Sequence, residues 1–142
     1  MKNNYIITPA SANDNDMILD ALIEFDLECM PHLPRIDIQK CDFVLRSPEG
    51  IFMGGINAEH FWGILAIKFL CVDKPFRGQR LGTILMNHVE QQAKDQGCYM
   101  VHLDTFDFQS KDFYIKHGYE VFGVLEDCPP GHKRYYLKKT LV

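Results

Sequence analysis

No stretch of this sequence is apolar for the roughly 20 residues that a membrane-spanning helix needs, so no membrane partner is expected. Positive charge is not in excess either: 15 Lys and Arg stand against 19 Asp and Glu, a net charge of −4. A chain that grips nucleic acid by its phosphates carries a basic face, so nucleic acid is not an expected partner. The five cysteines, Cys29, Cys41, Cys71, Cys98 and Cys128, are odd in number and contain no C-x-x-C. Neither a disulfide framework nor a zinc site is indicated. No metal is expected, and most of the thiols read as small buried apolar groups in a reducing, cytoplasmic setting. The opening residues Met1, Lys2, Asn3, Asn4 and Tyr5 lack the apolar segment of an export signal, which agrees with cytoplasmic localisation. Repeats, low-complexity tracts and linkers are missing as well, and 142 residues suit one domain, residues 1–142.

What is present is enough apolar material for a core: 46% of residues are hydrophobic and 24% charged. Tyr5, Ile6 and Ile7 read as a short first strand. Residues 11–16 are polar, with Asp14 or Asp16 as the cap of a helix whose stripe is Ile18, Leu19, Leu22, Ile23 and Leu27. Two prolines within residues 30–34 break that helix. Residues 43–45 and 51–56 predict a hairpin about the turn Ser47, Pro48, Glu49, Gly50. Residues 64–72 are almost continuously apolar, as in a central strand buried on both faces. After a polar loop over 73–79, Leu81, Ile84, Leu85, His88, Val89, Gln92 and Ala93 mark a helical stripe, stopped at Gly97. Val101, Leu103 and Thr105 alternate with His102 and Asp104 in a further strand. A short helix over 110–117 ends at Gly118, and strands over 119–125 and 134–141 flank a loop at 128–131. The order β-α-β-β-β-α-β-α-β-β implies a mixed α/β (α+β) fold, one twisted sheet of six to seven strands flanked by helices. The strand-helix-strand unit over 64–106 should be a right-handed parallel crossover.

The chemistry concentrates where the central strand enters the loop and the loop opens a helix. Free N–H groups at a helix start, with the helix dipole, welcome an anion. Gly78 and Gly82 let backbone come close. From Lys68 to Arg80 there are four basic residues, Lys68, Lys74, Arg77 and Arg80, against the single acid Asp73. An anion site and a solvated basic turn both fit this loop. It is not a P-loop, since Gly82 precedes Thr83 with no lysine, nor the three-glycine dinucleotide fingerprint.

The run from Val72 to Leu85 resembles the acetyl-CoA loop of the GNAT N-acetyltransferases, whose pattern is Q/R-x-x-G-x-G/A. Arg77 matches its first position and Gly82 its last, while Arg80 stands where the pattern has its first glycine. Phe113, Tyr114, Ile115, Lys116, His117, Gly118 and Tyr119, following the strand that ends near Gln109, are similar to the family's second signature, F-Y-x-K-x-G-F/Y. The tail with Gly131, His132, Lys133, Arg134 and Tyr135 resembles a bacterial subgroup of small members. The likeness covers about residue 64 onward.

The resemblance implies acetyl-CoA as co-substrate, without a metal. The strand before the loop would part from its neighbour, and Leu70, Cys71 and Val72 would offer backbone groups to the pantetheine arm and to the thioester carbonyl. Arg77, Gly78, Gln79, Arg80, Leu81, Gly82 and Thr83 would hold the pyrophosphate. Tyr114 would donate a proton to the leaving thiolate, and Gln109 would contact the arm. A general base is not evident; among Glu28, Glu59, His102, Asp104 and Glu126, Asp104 ranks first. His132 is a candidate substrate contact. The implied partners are acetyl-CoA and a primary amine of a small molecule or peptide, attacked directly, with specificity carried by residues 25–38. A homodimer is a further implication. The competing reading is a CoA- or acyl-CoA-binding module or sensor with little or no turnover.

Overall fold

The computed structural model describes residues 4–142, so the first three residues of the opening segment lie outside the described residues. The chain forms two compact units, one reaching to Ile36 and one from Asp37 to Val142. The first holds helix α1, Ala12–Cys29. Its cap is Ser11, not Asp14 or Asp16. The Asp14 N–H donates to Ser11 Oγ at 3.1 Å, and the Ser11 N–H donates to Asp14 Oδ2 at 2.9 Å. This reciprocal pair satisfies two otherwise orphaned donors and starts the helix earlier than the polar composition suggests. Tyr5, Ile6 and Ile7 join no strand, contrary to expectation. Strand character belongs to a pair, and three residues supply too few ladder bonds to fix one.

The second unit is a seven-stranded sheet. Its strands are β1 (Gln39–Lys40), β2 (Phe43–Arg46), β3 (Phe52–Phe61), β4 (Ile64–Val72), β5 (Met100–Phe106), β6 (Glu120–Glu126) and β7 (Lys133–Thr140). They run in the order β1-β3-β4-β5-β7-β6, with β2 also on β3. All pairings are antiparallel except that of β4 with β5. The parallel pair is bridged by α2 (Leu81–Asp95), and α3 (Lys111–Lys116) follows β5. The β3–β4 hairpin turns on Trp62 and Gly63, both left-handed at φ 53° and 77°, the geometry that matches strand twist in a two-residue turn.

The core lies between α2 and the inner face of the sheet. Leu85, Met86, Val89 and Ala93 of α2 pack with Leu65, Ile67, Val101, Leu103 and Leu137. The buried stripe is therefore rotated from the expected one: Ile84 is exposed, whereas Met86 is fully covered. Glu90 also lies on this buried face. It accepts from the Tyr119 hydroxyl at 2.6 Å and from Lys139 Nζ at 2.9 Å, the partnering a buried carboxylate requires. Of the thiols, Cys41 and Cys98 are buried as expected, while Cys29 and Cys71 are exposed.

Candidate active site

The site starts with a fault in β4. Ala58 faces Ile67 and Asn57 faces Phe69, so Lys68 is an extra residue in β4. Such a bulge bends its strand and increases its twist. The β4–β5 ladder consequently stops at Ala66↔His102, although β4 runs on to Val72 and β5 to Phe106. The expected parting of the two strands is thus present. It also exposes Lys68, Phe69 and Cys71 of a strand expected to be buried on both faces.

Alternation decides which backbone groups face the gap. The Asp73 N–H donates to Met53 O at 2.8 Å, so Phe69, Cys71 and Asp73 turn towards β3. Leu70 and Val72 turn the other way, towards the gap. Cys71, expected alongside them, spends its backbone groups on β3. Across the gap, the Asp107 N–H donates to Lys133 O at 2.9 Å, so Phe106 N–H points into the gap. It is satisfied by the Gln109 side chain, whose Oε1 accepts it at 2.9 Å and also accepts the Thr105 hydroxyl at 3.2 Å. Gln109 thereby closes the far end of the opening, with its amide N–H groups left to donate.

The β4 end leads into a tight loop. Arg77 Nε donates to Val72 O at 3.1 Å, folding the loop back on the strand. Gly78 is left-handed at φ 82°, and Arg80 is left-handed too, at φ 60°. Arg80 keeps the glycine conformation at the position where the signature has glycine, which a side chain adopts at a cost of about 1 kcal/mol. Arg80 is the N-cap of α2 and gives no side-chain cap. The N–H groups of Leu81, Gly82 and Thr83 therefore have no partner within the helix. Gln79 sits exposed in the loop. Gly82 has a packing reason as well: a Cβ there would lie 3.3 Å from the Phe113 ring.

Phe113 leads to Tyr114, buried on α3 with its ring against Phe113 and Tyr119. Its hydroxyl has no hydrogen-bond partner among the described residues, yet it is not sealed from solvent. Burial, and then the Asp104 charge, push its pKa up to about 12. Asp104, on the outer face of β5, is held by Arg134: Nε and Nη2 both reach its Oδ1, at 2.9 and 2.8 Å. The Arg134 guanidinium in turn lies over the Phe106 and Tyr136 rings. The pairing of Arg134 with Asp104 has no local sequence signal; only the β5–β7 register, Asp104↔Tyr136, brings them side by side. Of the other acids weighed as bases, Glu59 is engaged by Lys68 at 3.0 Å and Glu126 by Lys133 at 3.7 Å.

Comparison with known proteins places this arrangement. Residues 15–119 match the model of the Acetyltransferase (GNAT) family. The chain belongs to the GNAT acetyltransferase family. The blasticidin-S acetyltransferase of Streptomyces morookaense is 34% identical over 94 residues, 66% of this chain and 69% of that protein. An acetyltransferase from Bacillus cereus ATCC 14579 superposes with a TM-score of 0.85 at 30% identity, covering 96% of this chain and 97% of its own. An aminoglycoside 6′-N-acetyltransferase complexed with coenzyme A superposes with a TM-score of 0.64 at 17% identity, covering 96% and 98%, a likeness of fold alone. The GNAT match includes the parted strands, the α2 start and Tyr114, but ends before Arg134.

Proposed function

We propose that this GNAT chain, with residues 1–142 acting as one cytoplasmic domain, transfers the acetyl group of acetyl-CoA directly to a primary amine. The parting of β4 from β5 beyond Ala66 and His102 carries the reading, because it opens a path from Tyr114 to the uncapped start of α2. That the family match spans both compact units supports a single functional domain.

The residues fit the co-substrate along its length. A pantetheine arm is a chain of amides and can lie against Leu70 and Val72 as an added strand would. Gln109 offers its amide N–H groups at the far end. The N–H groups of Leu81, Gly82 and Thr83 suit a pyrophosphate, with Arg77, Gly78, Gln79 and Arg80 lining the approach. When bound, acetyl-CoA supplies an activated acyl group and a thiolate leaving group. Leu70 N–H is positioned to stabilise the carbonyl oxygen as charge grows on it. Tyr114 holds its proton: with its pKa at about 12 against ~8.5 for a thiol, complete transfer is uphill by roughly 5 kcal/mol. It therefore donates a hydrogen bond to the departing sulfur, and water supplies the proton. Among the described residues Arg134 engages only Oδ1 of Asp104, so Oδ2 is left to attract the acceptor's ammonium group.

A small antibiotic-like amine is the acceptor class to test first, because the relative named for blasticidin S shares 34% identity. The experiment is acetyl-CoA calorimetry followed by thiol release with blasticidin S, spermidine, an aminoglycoside, free lysine and a lysine peptide. Release with one of them is expected. Binding without release on any amine supports the acyl-CoA sensor instead, and absence of binding overturns both. Sedimentation of the same sample tests the implied homodimer.

A further inference from the structure

Two residues beside the gap have no part in the scheme above. Asp107 follows β5 directly, and His132 ends the loop between β6 and β7. His132 Nδ1 lies 2.9 Å from Asp107 Oδ1. An ionised carboxylate only accepts, so Nδ1 carries the hydrogen and Nε2 presents a lone pair. Burial works against the Asp107 charge, but the bonds from His132 and Lys133 overcome it and hold the carboxyl below its usual range.

His132 is held through its backbone, its carboxylate partner and one neighbouring ring. Asp107 Oδ2 accepts the Lys133 N–H at 3.0 Å. The His132 N–H donates to Pro129 O at 2.8 Å, and His132 O accepts from Cys128 N–H at 3.0 Å. The Phe108 ring meets the imidazole edge-on at 5.2 Å and stacks on Phe106 at 5.3 Å. The His132 side chain remains 47% exposed, so an acceptor can reach it. A base with a free nitrogen, oriented by a carboxylate on a rigid wall, is an arrangement built for proton abstraction.

Its height along the sheet is right. The β4–β5 ladder ends with Ala66 opposite His102; carried on past the one-residue bulge of β4, that register sets Leu70 level with Thr105. Asp107 comes two residues later, ~7 Å along β5. Tyr114 belongs to the inner side of the sheet with α2, whereas Phe106 and Arg134 form the outer wall. A leaving group and an attacking amine thus meet different faces of one opening.

We propose that His132, oriented by Asp107, is the general base that takes the proton from the attacking amine nitrogen. The role rests on the acetyl-transfer reading above. The acceptor's ammonium group first gives one proton to solvent; the amine lone pair then forms the N–C bond to the acyl carbon, and the C–S bond breaks with its electron pair leaving on sulfur. The proton shed by nitrogen goes to His132 Nε2 and then to water; the thiolate, hydrogen-bonded by Tyr114, is protonated from water. Asp104 suits abstraction less well because Arg134 holds it with two N–H groups. The charged and titratable groups beside His132 are Asp107 at the end of β5, Cys128 of the loop after β6, and Lys133 at the start of β7, whose N–H shares the Asp107 carboxylate.

The test is the pH profile of kcat/KM for the amine of the panel that turns over fastest, in the whole protein. H132Q should lose about 100-fold and the one-proton acidic limb, with acetyl-CoA affinity unchanged. D107N should lose about tenfold, and added imidazole should restore part of the activity of H132A, which a loop-organising role would not allow. An acidic limb retained in H132Q, or no rescue of H132A, overturns the base role alone. If the native protein acetylates none of the amines, the acetyl-transfer reading falls and the base role with it.

Discussion

Arg80 carries a left-handed backbone, φ 60° and ψ 24°, immediately before α2, and this conformation separates two things the sequence runs together. The backbone behaves as glycine while the side chain adds a cation. R80G relieves about 1 kcal/mol of strain but frees the unfolded chain by a similar amount. Stability should therefore stay within about 1 kcal/mol by chemical denaturation. Acetyl-CoA affinity should fall roughly twofold to fivefold, the worth of an exposed charge pair, and the difference should vanish at high salt. At Tyr114 the balance reverses, since the fold does not use the hydroxyl. Y114F should leave the melting temperature unchanged and lower kcat by about tenfold to a hundredfold. The raised pKa favours the neutral phenol in the folded state. Its contribution is complete below ~10 and fades as pH climbs towards about 12. The kcat profile should therefore show no alkaline limb from Tyr114 below pH ~11.

Secondary structure elements fit together here through contacts that periodicity reads only partly. The α2 stripe was legible in outline from Leu85, Val89 and Ala93, but its centre is Met86 and it includes Glu90. A carboxylate on a buried face is invisible to an apolar count; only Tyr119 and Lys139, from elements far along the chain, make it tolerable. K139M removes the cation from Glu90, leaving it the Tyr119 hydroxyl alone, and should cost about 2–4 kcal/mol in urea unfolding. The double change E90L/K139M should recover most of that loss. β3 and β4 fit together as closely at Gly54, where a Cβ would lie 2.7 Å from Cys71 O. G54A should destabilise by about 1–3 kcal/mol, and because Cys71 adjoins Leu70 and Val72 it should raise KM for acetyl-CoA as well.

Across the whole molecule, what the sequence showed well is what local chemistry determines: the β2–β3 hairpin, the α2 stop at Gly97, the loop glycines and the parallel β-α-β unit. What it hid depends on register between distant segments. Nothing near Asp104 announces Arg134, nothing near Asp107 announces His132, and the bulge at Lys68 appears only once β3 is laid beside β4. The first strand failed for the same reason, because residues 5–7 carry strand propensity without a partner. Ligand linkage offers a global check: acetyl-CoA at 100 times its Kd should add about 2.7 kcal/mol. For a chain of 142 residues this is a rise of roughly 6–10 °C in Tm. Leu70 and Val72 also give this protein a sheet edge in its interior. Exposed edges invite foreign strands, and here the guards are its shortness, the Lys68 bulge and the Gln109 side chain acting as a plug on the opposite bank. On the proposed binding of acetyl-CoA, quality control in the cell meets two different proteins, one with that edge open and one with it covered. Coenzyme supply should govern how readily this chain clumps when heated, independently of whether any acceptor is present.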